Sequence, residues 1–553
     1  MIIRYLDYYL EPLQVASHLA DQPDFAFLDS SDHQHENAHY SLIALEPFLK
    51  FSCHKGQWHM SFLSNINRDL SHIDRDLIDH ITLINKEDLS PQRGDDLLSP
   101  DWINQLRANS KRDPFGTLRE LLNRFRLPLS IHGSPDSILP LGAAIGYISY
   151  DLGASLESNI PYLLQGFEDW PEMEWRFYDT LMIFQHRQRI VTLVSTGFPF
   201  SGTKQEQWAH ERFSHFLSLL EKIPPNQDEK NLEKNLEENI EGISLIANPY
   251  QMWSNPADLL INISEKGASE KDAFGKDAFG KMDLCSNFTS SAYQQAVRTI
   301  KEYIAQGDVY QVNLSQQFSS ETTEPGYDLY RRIRQINRVP YGGYLRFDQR
   351  EILCFSMERF LRMEGESVQT RPIKGTLPRG QTPQEDIIQA GQLMQSEKDR
   401  AELLMVVDME RNDLGKVCAC HSIRVDQLFE VEKFATVFHL VSTVSGRLRP
   451  EFDHLDCLRA CFPGGSITGT PKIKAMEIIA ELEKVRRGVY CGALGYFGFN
   501  QISDFNIPIR TILKQGPKLW FNAGGGVVAD SDPYLEYMET LHKVRSFLTC
   551  LQG

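Results

Sequence analysis

The chain is expected to fold as an α+β protein. Three observations point there. Short alternating apolar runs, which read as strands, are interspersed with amphipathic stretches that read as helices. The two kinds follow one another in no regular βαβ register. A hydrophobic content of 41%, with 10% aromatic residues, is enough for a sizeable core. The length of 553 residues suggests roughly three or four domains.

In residues 1–223, positions 141–150 and 181–186 read as strands, and a helix begins near Asp113-Pro114-Phe115 and runs through Leu118, Leu121, Leu122 and Phe125. Pro224-Pro225 then opens a polar tract, and the pentapeptide Lys-Asp-Ala-Phe-Gly occurs at 271–275 and again at 276–280. Such a stretch cannot bury enough apolar surface to offset its ordering entropy. Residues 224–287 are expected to be a flexible low-complexity insertion between an N-terminal region, 1–223, and a C-terminal region, 288–553. Beyond it, 290–306 reads as a capped amphipathic helix. Strands are expected at 309–317, 343–347, 352–356 and 437–445, and helices at 396–408 and 533–548.

The formal net charge of −17 argues against nonspecific nucleic-acid binding and against an anionic membrane surface. The nine cysteines follow no repeating spacing. Cys418, Cys420 and His421 form a C-x-C-H cluster, but no second ligand pair accompanies it, as a zinc site would require. The first residues carry no signal-peptide pattern and no apolar run approaches membrane-spanning length. A reduced, cytoplasmic location is expected.

Lys374 is the most informative residue. It lies in Arg371-Pro372-Ile373-Lys374-Gly375-Thr376-Leu377-Pro378-Arg379-Gly380. Neighbouring cations and partial burial both lower an amine's pKa, and only a neutral amine is a nucleophile. Alone, the segment also reads as a basic turn for an anion. Other features are equally two-sided. Glu539 and Lys543 suit an i,i+4 surface ion pair. Gly524-Gly525-Gly526 is either a tight turn or a place where backbone amides approach an anion. The loop 462–472 leads into a helix whose N-terminus suits a carboxylate or phosphate. Arg510 either pairs internally or grips a carboxylate. Glu402 is a charged helix position that, paired in space with Glu539, would suit a hard cation. His439 reads as a core histidine.

Together, the segments at 307–314, Met357-Glu358-Arg359-Phe360, the Lys374 segment, Arg411-Asn412-Asp413, 462–472, Ile509-Arg510-Thr511 and 524–530 resemble the chorismate-using enzymes of the anthranilate synthase and aminodeoxychorismate synthase group. The resemblance is strong over 288–550 and weaker over 20–190. It implies two antiparallel sheets packed face to face, helices outside, and an active site between the sheets. Lys374 places the chain on the aminodeoxychorismate side, the para-aminobenzoate branch of folate synthesis, because anthranilate synthases carry alanine there. Isochorismate and salicylate synthases place a lysine where this chain has Gln311, and glutamine cannot activate water as a base.

The resemblance implies roles residue by residue. Lys374 is the covalent nucleophile, Glu358 the general acid and base, and His439 lies beside the reacting ring. Thr376, Gly375, Ser466, Tyr490, Arg510, Gly524, Gly525, Gly526 and Lys543 bind chorismate. Glu402, Glu539 and Glu536 hold Mg²⁺. Ser30, Tyr40, Ser41, Leu42, Ile43, Val339, Pro340 and Tyr341 match the family's tryptophan pocket, either as a site for bound tryptophan or as a remnant. Met357 stands where the family usually has proline, and a local backbone effect is expected. No Gly-x-Cys-x-Gly elbow occurs, so a separate glutamine amidotransferase subunit is expected to supply ammonia. Anthranilate synthase component I is the alternative; a non-catalytic tryptophan-binding subunit is disfavoured by intact Glu358, Lys374, Glu402 and Glu539.

Overall fold

The computed structural model describes residues 1–62 (except 7 and 34), 114–128, 133–134, 137–156, 160, 166–167, 169–223, 263–265, 284–434 (except 381) and 437–552. Two large sheets dominate it, of 13 and 11 strands. Nearly every strand pair is antiparallel, so the expected α+β class holds. Each sheet draws on both ends of the chain. In the larger, Phe25–Asp29 pairs with Tyr341–Phe347. In the smaller, Ala143–Ile148 pairs with Ala493–Gly498.

The sheets lie face to face over one apolar layer. Leu42, Ile183, Leu345 and Leu513 of the larger meet Ile145, Tyr178, Leu494 and Tyr496 of the smaller. Helices cover both outer faces. Pro12–Leu19, Gly202–Glu221, Gly326–Ile336 and Pro533–Gln552 bury their apolar stripes on the larger sheet. Pro114–Arg124, Glu397–Gly415 and His454–Cys461 do so on the smaller. Alternation sets the sidedness: along Tyr40–Ala44, Tyr40 and Leu42 face the inter-sheet layer while Ile43 faces the helices.

Most expected elements occur where they were read. The helix at Ser290–Gln306 has the predicted bounds, because the Thr289 hydroxyl accepts from Ala292 N–H and Gly307 closes the helix in the left-handed region. The strand at 309–317 instead spans Gln311–Glu321, and the helix at 396–408 runs on as Glu397–Gly415. Most of the 224–287 insertion lies outside the described residues. Its described parts, Ile263–Glu265 and Leu284–Ser286, form a parallel pair on the edge of the larger sheet, joined to it through Gln311–Glu321.

Candidate active site

Two adjacent chain segments step from one sheet to the other, and the site forms at that seam. Arg350–Ser356 of the larger sheet passes through Met357-Glu358 into Arg359–Glu364 of the smaller. Ile502–Asn506 returns through 507–510 into Thr511–Gln515. Hydrogen bonds lock the crossings together: Ile507 N–H donates to Glu358 O at 3.1 Å, Ser356 Oγ to Ile507 O at 2.6 Å, and Phe355 N–H to Arg510 O at 3.0 Å. Glu358 and Arg510 are thereby fixed in the seam. Arg510 holds a left-handed φ of 51°, unusual for a long side chain. Its Nη1 donates to Lys543 O, burial depresses its pKa, and Tyr490 and Glu539 are close enough to act on it.

Glu358 is 4% exposed. Burial pushes its carboxyl up to about 7. Ser466, Lys374 and the Ile373 N–H, 3.4 Å from Oε1, moderate the rise. The Ser466 hydroxyl lies against this carboxyl without a hydrogen bond of good geometry.

Lys374 stands on Ile373–Pro378, which continues Ser367–Arg371 along Val437–Arg447 past Pro372. The ladder slips at Gly375: Lys374 opposes Leu440, yet Thr376 opposes His439. Gly375 is the bulged residue, at φ 78°, and a Cβ there would lie 2.9 Å from Asp399 Cβ and 3.0 Å from Leu393 Cδ1. Only glycine fits. Lys374 is half-buried and forms no hydrogen bond or ion pair among the described residues. Desolvation lowers its pKa, against the pull of Glu402, Glu358 and Glu539. An acid held up to about 7 and an amine held below its usual value thus share the seam.

Thr376 Oγ1 is 2.9 Å from His439 Nδ1, while His439 Nε2 is buried with no partner. Burial lowers the His439 pKa to about 4, so its imidazole is neutral at physiological pH.

The third wall is acidic. Glu402 comes from Glu397–Gly415; Glu536 and Glu539 come from the final helix. Gly525 runs beneath the last two: a Cβ there would lie 3.1 Å from Glu536 Oε2 and 3.4 Å from Glu539 Oε1. Burial raises the pKa of Glu402 and Glu536, and Glu539 adds to both. Lys543 Nζ lies 2.6 Å from Glu539 and 2.7 Å from Gly524 O, and holds the Glu539 pKa down. Three carboxylates around a glycine cradle, Glu536 buried, Glu402 half-buried and Glu539 exposed, are a donor set suited to a hard divalent cation. Their oxygens do not converge as tightly as those of Glu36, Glu430 and Glu432, the described acidic group that lies within 4.8 Å throughout; Arg371 already neutralises that group.

Gly524–Gly526 is not a turn. It lies within Lys518–Val527 and pairs with 313–315. On its other side the neighbouring strand ends at Thr511, opposite no residue beyond Phe521, so the glycine stretch is paired on one side. Gln311 Nε2 reaches 3.5 Å from Glu402 Oε2 over Gly526. The loop after Phe462 turns inward rather than offering an open anion cradle: Lys472 Nζ binds Asp413 at 2.5 Å and Cys461 O at 2.8 Å. Tyr490 is buried, its pKa pushed well above that of a free phenol by burial.

Sequence reading passed over Glu410. It occupies the buried stripe of its helix with Leu403, Val406, Val407 and Leu414, so an acid at an apolar-periodic position was the available signal.

In the N-terminal pocket, Ser30 N–H donates to Ser41 Oγ at 3.1 Å and Ser30 Oγ to Pro340 O at 2.7 Å. The Ser31 hydroxyl donates to Val339 O at 3.1 Å and accepts from Val339 N–H at 2.8 Å, and the Tyr341 ring lies 4.6 Å from the Arg359 guanidinium. Leu42 and Ile43 are buried on opposite faces of their strand. Asp29 beneath them is fully engaged: Arg334 binds it twice and Tyr330 OH donates at 2.8 Å.

The family model for chorismate binding enzymes matches residues 90–549, and the chain belongs to that family. Aminodeoxychorismate synthase component 1 of Escherichia coli is 36% identical over 81% of this chain and 84% of its own length. Anthranilate synthase component 1 of Streptomyces coelicolor is 35% identical over 80% and 78%. The crystal structure of anthranilate synthase component I from Streptococcus pneumoniae superposes with a TM-score of 0.61 at 26% identity, covering 92% of each chain. This protein is a chorismate-utilising enzyme.

Proposed function

We propose that the chain aminates chorismate at C4 to 4-amino-4-deoxychorismate, in para-aminobenzoate and folate biosynthesis. The observation that carries this is Lys374: an unpaired, half-buried amine beside a carboxyl whose pKa is about 7. The Lys374 lone pair attacks C2, the ring double bond shifts, and the C4–O bond breaks as Glu358 donates its proton to form water. Ammonia then attacks C4, the double bond shifts back, and the C2–N bond breaks to restore Lys374. Glu358 takes the proton from the new amine. Arg510, Thr376, Lys543 and the one-sided glycine strand hold the two carboxylates, His439 presents its unpartnered Nε2 to the ring, and Ser466 lies beside Glu358. Magnesium held by Glu402, Glu539 and Glu536 would supply positive charge for the ring carboxylate.

The nitrogen comes from a separate glutamine amidotransferase subunit. Cys491, the cysteine closest to a glycine elbow, has its thiol pushed up to about 12 by burial and is inert. Free ammonium substitutes for the subunit at high concentration. The N-terminal pocket is the place for a bound tryptophan. The 35% identical anthranilate synthase keeps one other reading open, in which the same site eliminates pyruvate.

Intact-protein mass spectrometry after incubation with chorismate and Mg²⁺, without ammonia, separates the two. An adduct of chorismate less water, absent from Lys374→Ala, is expected. Absence of the adduct, with anthranilate and pyruvate forming once ammonium is added, would overturn the proposal.

A further inference from the structure

A lateral groove of about 1190 Å³ runs along the outer side of Glu397–Gly415, lined by Met409, Asp413, Phe462, Pro463, Thr470 and Lys472. The loop 462–470 is the wall between this groove and the seam. Its ends line the groove, while Ser466 in its middle lies against Glu358. Glu410, on the helix Glu397–Gly415 between the groove-lining Met409 and Asp413, packs against that wall. It is 2% exposed; Oε1 accepts from Gly465 N–H at 3.1 Å, and Oε2 is buried with no partner. The same loop therefore touches both carboxyls, Glu410 through Gly465 and Glu358 through Ser466.

Among the described residues no cation is committed to Glu410. Lys472, whose charge acts on it, is held by Asp413 and the Cys461 carbonyl, and Lys416 is held by Asp413 at 2.8 Å. The other ionisable groups facing it are Asp413 on its own helix, Cys461 at the end of the preceding helix, and Glu358 across the loop. An acidic side chain with a buried, unpartnered oxygen and no resident counterion is a place for a small cation to shed a proton.

Building on the reading above, we propose that Glu410 receives the proton of ammonium entering from the lateral groove, so that nitrogen reaches C4 as ammonia. One N–H bond of ammonium breaks, its electron pair stays on nitrogen, and the proton passes to a Glu410 oxygen. It then leaves through the groove to solvent. Glu410 acts before the reacting atoms meet, which distinguishes it from Glu358. Burial, with Asp413 adding to it, pushes its carboxyl up to about 7, so it stays ionised and receptive in the alkaline half of the neutral range.

The test is the pH dependence of kcat/KM for total ammonium, with chorismate saturating, in the full chain and in Glu410→Gln and Glu410→Met. Below the pKa of ammonium, free ammonia falls tenfold per pH unit. A variant limited to free ammonia should follow that line, whereas the natural chain should exceed it between about pH 7 and 9. The expected gap is at least tenfold near pH 7.5, closing toward pH 9.5, with KM for chorismate unchanged. Profiles that run parallel at every pH, whether equal or uniformly lowered, would overturn the proposal, since a packing defect has no such pH signature. If the natural chain forms no aminated product from ammonium and chorismate, the reading of the function fails instead.

Discussion

Two pockets in this molecule bury ionisable side chains, and they treat them in opposite ways. Near the N-terminal region, Asp29 meets Arg334 and Tyr330 and has no free oxygen. Against the upward push of burial, Arg334 holds its carboxyl below the usual range. At the seam, burial meets no such answer: Glu358 rises to about 7 and Lys374 falls, each without a direct ion pair. A satisfied buried charge supports architecture, while an unsatisfied one stores reactivity.

The contrast can be broken or sharpened by substitution. Lys374→Ala should have the largest effect, a loss of about 10⁴-fold in kcat with the fold intact by circular dichroism, because no other described amine occupies that position. Asp29→Asn should do the reverse: it strands the Arg334 charge and costs about 3–5 kcal/mol in chemical denaturation, with kcat per folded molecule retained. Equal losses of activity from both would erase the distinction. Glu358→Gln should lower kcat by about 10²–10³-fold yet raise stability above pH 7 by roughly 3–4 kcal/mol. The sign follows from its raised folded pKa. Its ionisation penalty is absent below the unfolded value near 4.3, grows as pH rises, and is complete above about 7. Asp29 contributes oppositely: its stabilisation is present above the unfolded carboxyl value and is lost as acid titrates through the lowered folded one. Gly375→Ala, forced into a left-handed backbone against Asp399, should have the smallest effect, roughly ten- to a hundredfold in kcat through displacement of Lys374.

The sequence made the second pocket legible and the first only partly so. Lys374, Glu358 and Glu402 lie in distinctive local strings. Ser30, Ser41 and Pro340 were named too, but the Asp29–Arg334–Tyr330 cluster, which spans 305 positions, leaves no local trace. Elements with local punctuation, such as Ser290–Gln306 with its threonine cap and closing glycine, were readable to the residue. The pair Ile263–Glu265 and Leu284–Ser286 was not, because its strand character comes from docking on Gln311–Glu321. Gly524–Gly526 reads from sequence as a tight turn or an anion-approaching stretch for the same reason: three glycines signal a turn unless a partner strand is already there.

The interleaving of the two ends of the chain in both sheets has a consequence for biosynthesis. Phe25–Asp29 leaves the ribosome more than 300 residues before its partner Tyr341–Phe347, and Ala143–Ile148 nearly 350 before Ala493–Gly498. Until then each first-made half-sheet ends in an open, apolar edge, the kind of surface that recruits a wrong strand. Pairings this distant are slow to form. Newly made chains should therefore depend on holding chaperones until translation is nearly complete, and a fragment ending at residue 340 should aggregate rather than fold.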